Sequence, residues 1–296
     1  MAKGDVTTRD IWTHIEAPSS DSIPTLCEKY QLESRFVYDA LDRDEIPRFE
    51  EVNNTTYIIT RFAFETKRGE IKTVPILFAL SEQRLVTVSL EPLPEIVEVM
   101  PDAKPAIHKS PMRVMLRILL NIDAKYDIFI NEIGRKIRGF KQKLGTRDAT
   151  MDMFIRFVHI EDDLNDFLGS LSPTNHTLKH LRDSGALKNI AKHRLMIDTV
   201  ILNNEQSITT CENNLKSLDA VRRTYQLINS RQLDRTIKIL TLVSVFIAIP
   251  TMFFSMYGMN IQLPFMHHGL AFVFIMLICL LIAGGAYYVG RRRNIF

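Results

Sequence analysis

The chain has 296 residues, enough for about two domains, with a net charge of +3 and 46% hydrophobic residues. So mild a positive balance excludes a nucleic-acid surface built on bulk charge. Three scattered cysteines, Cys27, Cys211 and Cys279, exclude a disulfide scaffold and fit a reducing compartment.

The N-terminal stretch MAKGDVTTRDIW has no apolar core of signal-peptide length, so residues 1–110 are expected to begin in the cytoplasm. Ser20, Asp21 and Ser22 followed by Pro24 predict a helix start leading into TLCEKY, with apolar residues continuing at Phe36, Val37 and Leu41. TTYIITRFAFET, TVPILFALS and RLVTVSL are rich in β-branched and aromatic residues and are separated by turn-forming KRGE and SEQ. They predict a small sheet, and the domain closes in the proline-punctuated segment 91–105. The resulting fold class is α+β for 1–110.

From Pro111 the apolar spacing becomes helical, through MRVMLRILLNIDAKYDIFINEIGRKIRGF. Gly145–Thr146–Arg147–Asp148 interrupts it. A second helical stretch runs to about Arg182, with a kink expected at Pro173. After Gly185 no glycine occurs before Gly258 and no proline before Pro250. One helix is therefore predicted from Ala186 onward, on the order of 100 Å long at 1.5 Å per residue. Residues 111–236 thus form a helical stalk. Its apolar positions, among them Leu195, Val200, Leu202 and Leu218, require neighbours, either the preceding helices or other copies of the chain.

Two apolar spans follow, 237–257, uncharged from Ile239 to Tyr257, and 270–290, uncharged throughout, each close to the roughly 20 residues that cross a bilayer. Arg231, Arg235 and Lys238 flank the first, and Arg291, Arg292 and Arg293 follow the second. The connecting segment 258–269 has no Lys or Arg. Positive charge resists translocation, so both termini, including the basic tail 291–296, are expected in the cytoplasm and the short loop outside. The protein is thereby assigned to the cell inner (plasma) membrane.

In the first span Thr241, Ser244, Ala248, Thr251, Ser255 and Gly258 recur at steps of three or four and share one helical face. Asp234 extends this stripe inward and Asn260 extends it outward. Such a stripe serves either close helix packing or a pore wall. Two helices per chain cannot enclose a watery path, so a pore requires several copies around an axis.

Tyr257–Gly258–Met259–Asn260, at the outer end of the first of two C-terminal spans, resembles the YGMN signature of CorA-type magnesium channels. Pro250, the short outer loop, the second span and the tail RRRNIF fit the same resemblance, as do Trp12 and DRDEIPRFEE (Asp42–Glu51). The resemblance implies a homopentameric funnel whose first span lines the pore while the second faces lipid. It further implies that Gly258, Met259 and Asn260 form a selectivity filter for hydrated Mg2+, with Gly258 permitting a sharp turn out of the helix. On the same basis Ile237 and Leu240 form a hydrophobic gate, and Asp234 gathers cations at the inner mouth. Cytoplasmic Mg2+ is implied as a regulator, with Glu95, Glu98 and Asp198 as candidate ligands by position.

Two departures stand out. Ala248 replaces a bulkier pore residue, and the outer loop carries His267 and His268 instead of acids. Imidazoles suit Zn2+, Co2+ or Ni2+, so transport of those ions is the competing expectation, with Met259 favouring magnesium. A membrane anchor that merely dimerises is the third. An enzyme is not expected. The sequence has no phosphate-binding glycine loop, no Cys/His metal cluster and no nucleophile motif, and His14, His159, His176, His180 and His193 are scattered. Neither an organic cofactor nor a nucleic-acid partner is expected. The expected partners are other copies of the chain, the lipid bilayer and divalent cations.

Overall fold

A computed structural model describes residues 6–9, 11–66, 69–92, 110–143, 151–184, 190–259 and 269–292. The chain divides into two compact units, Met1–Arg222 and Arg223–Phe296.

The first unit is built on a six-stranded sheet. Its strands are β1 (Val6–Arg9), β2 (Trp12–Glu16), β3 (Arg48–Val52), β4 (Thr55–Glu65), β5 (Ile71–Leu80) and β6 (Leu85–Ser89). They lie in the order β1-β2-β6-β5-β4-β3. Every neighbouring pair is antiparallel except β2 and β6, which run parallel with Trp12 opposite Leu85. The strands expected from TTYIITRFAFET, TVPILFALS and RLVTVSL are β4, β5 and β6. Strands β1, β2 and β3 widen the sheet beyond the expectation.

Local chemistry explains several of these boundaries. Asn53 and Asn54 join β3 to β4 with φ of 51° and 62°, the left-handed pair a two-residue hairpin requires and asparagine tolerates. Pro75 sits inside β5 opposite Arg61. Pairing with β6 begins only at Ile76, so the missing amide of Pro75 costs no ladder bond on that side.

Helices α1 (Ile23–Tyr30) and α2 (Ser34–Asp39) cover one face of the sheet. Ile23, Phe36 and Val37 pack there with Tyr57, Ile59, Leu77 and Val88. Phe36 stacks on Tyr57 at 4.2 Å between ring centroids, and the Tyr57 hydroxyl accepts from the Glu33 amide at 3.0 Å. Ser22 is the N-cap of α1, as the sequence predicts, although its hydroxyl donates back to the Ser19 carbonyl instead of capping the helix.

Helices α3 (Pro111–Lys143) and α4 (Met151–Asp183) pack against β4 and β5. The Ser170 hydroxyl of α4 donates to Thr73 Oγ1 at 3.0 Å, and Thr177 donates to the Pro47 carbonyl at 3.2 Å. Pro111 opens α3, where its missing amide would have had no helical partner anyway. Pro173 lies inside α4, and the helix continues through it.

The long helix α5 spans Arg194–Tyr257, 64 residues, and follows a 3-10 turn at Ile190–His193. It starts eight residues later than Ala186, because the chain first winds into the tighter turn that often precedes a helix. Its stretch in the first unit buries Ile197, Val200, Ile201, Asn204, Ser207, Cys211, Leu218 and Val221. Leu195 and Leu202, expected to need neighbours, stay exposed in the single chain.

The second unit holds the remainder of α5 and helix α6 (Ala271–Arg292). The most apolar stretch of α5 is long and apolar enough to cross a membrane, and none of it is buried within the chain. In α6 the described apolar core is Phe272–Gly285. Ile275, Cys279 and Ala283, four residues apart, are covered, and the Phe272 ring stacks on Phe254 of α5 at 6.1 Å.

Candidate functional site: the polar stripe of the long helix

At 100° per residue, Asp234, Ile237, Thr241, Ser244, Ala248, Thr251, Ser255 and Gly258 fall within an arc of about 120°. The helix is unbroken across 234–257, so this spacing is a physical stripe. Pro250 lies within the helix and does not end it. Ser244, Ile247, Ala248, Thr251, Met252 and Ser255 line a shallow concavity of ≈ 620 Å³. The small side chains make the hollow, and Ile247 and Met252 form its rims.

The hydroxyls on this face have a definite polarity. Thr241 donates to the Ile237 carbonyl at 2.9 Å, Ser244 to Leu240 at 2.9 Å and Thr251 to Ile247 at 2.7 Å. Each proton is therefore spent on the helix itself, and the oxygen turns lone pairs outward. These three acceptors in a row suit the outward-pointing hydrogens of water bound to a cation. Asp234, Ile237 and Leu240 are exposed at the N-terminal end of the stripe.

Gly258 follows the last helical residue. Its amide donates to the Phe254 carbonyl at 2.9 Å, and Met259 donates to Met256 at 3.3 Å. Among the described residues only Gly69 is a glycine in the left-handed region, so the turn at Gly258 does not depend on a special dihedral. A Cβ there would instead meet the Phe254 carbonyl oxygen at 3.2 Å. The constraint is close approach to the end of the helix. Asn260, His267 and His268 lie outside the described residues.

Of the expected regulatory carboxylates, Glu95 and Glu98 also lie outside the described residues. Asp198 is on α5 and pairs with Arg182 at 3.1 Å and with Arg194 at 4.0 Å. Arg182 also grips Asp183 at 2.8 Å. Hydrogen bonds from Arg182 hold the Asp183 carboxyl below the ordinary carboxylate range. Among the described residues no three His, Cys, Asp or Glu side chains group so as to hold a metal. The histidines serve separate roles. His14 Nδ1 lies 2.7 Å from Thr87 Oγ1, His180 packs on Phe49, and His193 Nε2 is 3.2 Å from Ser110 Oγ.

One polar group escaped the sequence reading. Asp123 occupies a position in the apolar stripe of α3 and is 4% exposed. Burial pushes its carboxyl up to about 8, opposed by a hydrogen bond from Asn204 and reinforced by the charge of Asp127. The signal was present in the spacing. Leu116, Leu119, Asp123, Tyr126, Ile130 and Ile133 recur at three and four, and one of the six is an acid.

The description CorA-like Mg2+ transporter protein matches the chain over residues 9–292. No curated protein sequence matches it. Among solved structures, the complete CorA magnesium transporter from Methanocaldococcus jannaschii is similar with a TM-score of 0.84 at 18% identity, over 95% of this chain and 90% of that one. The full-length CmaX protein gives 0.74 at 16% identity, over 95% and 87%. The ZntB cytoplasmic domain from Vibrio parahaemolyticus RIMD 2210633 gives 0.63 at 15% identity, over 74% and 88%. At these identities the structures establish the fold, an α+β N-terminal domain with a long helix, while the family match spans nearly every residue. The chain belongs to the CorA-like Mg2+ transporter family.

Proposed function

We propose that the protein conducts hydrated Mg2+ passively across the cell membrane through a homopentameric pore. The observation that carries this reading is the stripe from Asp234 to Gly258 on a helix whose apolar stretch is wholly unburied. Several copies that turn this stripe toward a common axis cover it and leave the remaining apolar sides to neighbours and lipid. Helix α6 is the second span, with the loop 258–269 outside and both termini in the cytoplasm.

Magnesium surrenders its waters reluctantly, so its filter must recognise a hydrated ion. Five Asn260 amides, with the Gly258 and Met259 carbonyls, supply neutral oxygen dipoles at the outer mouth. Along the wall, the acceptor oxygens of Thr251, Ser244 and Thr241 receive hydrogens from the water shell, and Ala248 leaves it room. Ile237 and Leu240 narrow the path and close it by dewetting, and Asp234 concentrates cations at the inner end. Influx needs no nucleotide. A divalent ion gains about 4.6 kcal/mol on crossing 100 mV. Cytoplasmic Mg2+ closes the pore by binding between subunits, with Glu95, Glu98 and Asp198 as candidates. At Asp198 it must compete with Arg182.

Uptake of Mg2+ into liposomes containing the purified protein tests the filter. Asn260→Ala is expected to reduce flux by at least about tenfold, the scale of removing a group that serves a bound metal ion. Undiminished uptake would remove the filter from this account. Competition by Co2+, Ni2+ or Zn2+ in the same assay addresses the second reading, which His267 and His268 motivate.

A further inference from the structure

In the first unit, α3 faces α5 across an apolar seam that contains an isolated polar island. Asp123 is 4% exposed and Asn204 is 1% exposed. The Asn204 amide nitrogen lies 3.5 Å from Asp123 Oδ1. One turn further on, Asp127 accepts a hydrogen bond from Ser207 Oγ at 2.7 Å. Asp123 Oδ2 and Asn204 Oδ1 are both buried, and neither has a hydrogen-bond partner among the described residues. The charged group acting on Asp123 is another carboxylate, Asp127. Burying an acid beside an acid, with an amide oxygen also unsatisfied, is costly unless something completes the site.

The donor set indicates what that is. Two carboxylates, an amide oxygen and a hydroxyl are all hard oxygen donors, without nitrogen or sulfur. Such sites take Mg2+, Ca2+ or Mn2+ in preference to softer metals. Two acids also match the charge of one divalent ion. We propose that Asp123, Asp127 and Asn204 bind a single hard divalent cation between α3 and α5, with Ser207 orienting Asp127. Water fills the remaining coordination positions, as is usual for these ions. The bound ion ties the first half of the long helix to its neighbour within one chain. This site is distinct from the candidate pore, whose residues all belong to the second unit.

The test counts Mn2+ bound per chain by electron paramagnetic resonance, using full-length protein in detergent after chelation, and follows thermal unfolding as Mg2+ is restored. Asp123→Asn keeps the shape and removes the charge. It is expected to bind one Mn2+ fewer per chain and to lose part of the rise in Tm with Mg2+. Ser207→Ala, a milder change, should weaken binding at this site about tenfold, as loss of a ligand-orienting group does. Leu240→Ala, a change in the second unit at no ion-binding residue, should retain both signals, and Asn260→Ala should lose only the ion that five chains share at the outer mouth while keeping the rise in Tm, so failure of the pore reading and failure of this one are distinguishable. If Asp123→Asn binds as many Mn2+ ions as the unaltered chain, or stabilises the chelated protein without changing the count, the acid holds only a proton and the proposal is overturned. Should Asp123→Asn not fold, an unchanged Mn2+ affinity in Ser207→Ala overturns it equally.

Discussion

The helix α5 passes through both units, and its two stretches place their residues by opposite rules. In the first unit it buries Ile197, Val200, Cys211 and Leu218 along one side, the pattern of a helix whose solvent is water. In the second unit Leu240 is 65% exposed and Ile247 is 64% exposed, and the polar residues are the ones gathered on one face. Each exposed side chain of that size would forgo about 1.5–3 kcal/mol in water. The same 3.6-residue period is therefore read twice. In one stretch the apolar face finds protein; in the other the small and hydroxylated residues share one face and the apolar ones stay unburied.

The largest expected effect breaks this comparison outright. Phe246 lies on the side of α5 roughly opposite the stripe, where a charge faces lipid in the proposed assembly. Arginine at a span centre costs about 2.5–3.5 kcal/mol of insertion free energy. Phe246→Arg should therefore sharply reduce insertion of this span, measured by whether a tag placed in the loop 258–269 still reaches the outer side. Leu202→Arg, on an exposed position of the same helix in the first unit, should integrate normally. Equal behaviour of the two would dissolve the distinction between the stretches.

A second pair sets one phenylalanine in each unit side by side. Phe167 is fully buried, edge-on to Tyr126 at 5.4 Å and near Phe129. Truncating such a residue costs about 3–5 kcal/mol. Phe254 is exposed in the second unit apart from its stacking on Phe272. The single tryptophan, Trp12, is buried in β2 and reports unfolding of the first unit alone. Phe167→Ala should shift the Trp12 fluorescence transition strongly toward lower denaturant, whereas Phe254→Ala should leave it in place.

Much of this architecture was legible in the sequence, and the omissions have physical causes. Strands β4, β5 and β6 were visible because both of their faces are covered, which makes them nearly continuous apolar runs. Strand β3 was missed because RFEEV is a polar edge strand, and β2 because it is short and gains its place from a parallel pairing with β6, distant in sequence. The stripe of α5 needed no structure, since the period alone defines a face. The outward acceptor polarity of its hydroxyls was invisible, because it depends on a rotamer. Asp123 was overlooked because one acid in an apolar stripe resembles a surface charge until the facing helix is known.

The sheet supplies a pH test confined to the first unit. The His14 ring is buried against Thr87 and Trp12, with Glu16 at 3.2 Å. Burial lowers its pKa from the ordinary 6.5, and the carboxylate of Glu16 only partly opposes this. Below about 6.5 the unfolded chain binds a proton that the folded chain resists. Stability should therefore be level above that pH, fall as pH drops from there to the lowered folded value, and level off below it. His14→Asn, which can keep a bond to Thr87 without titrating, should flatten the acid limb of the Trp12 transition.

The smallest effect concerns a single hydroxyl on the stripe. Thr251 spends its proton on Ile247 at 2.7 Å, so what it offers to the concavity is an acceptor. Thr251→Val preserves shape and branching and removes that oxygen. A hydrogen bond of this kind contributes about 1 kcal/mol net, so Mg2+ flux should fall a few-fold, by roughly fivefold, with integration and oligomer yield unchanged. Thr251→Ser should restore it, because serine forms the same bond to the preceding turn and presents the same lone pairs. A valine variant conducting at full rate would mean the ion's water shell does not lean on this wall, and the burden of recognition would move to the outer mouth alone.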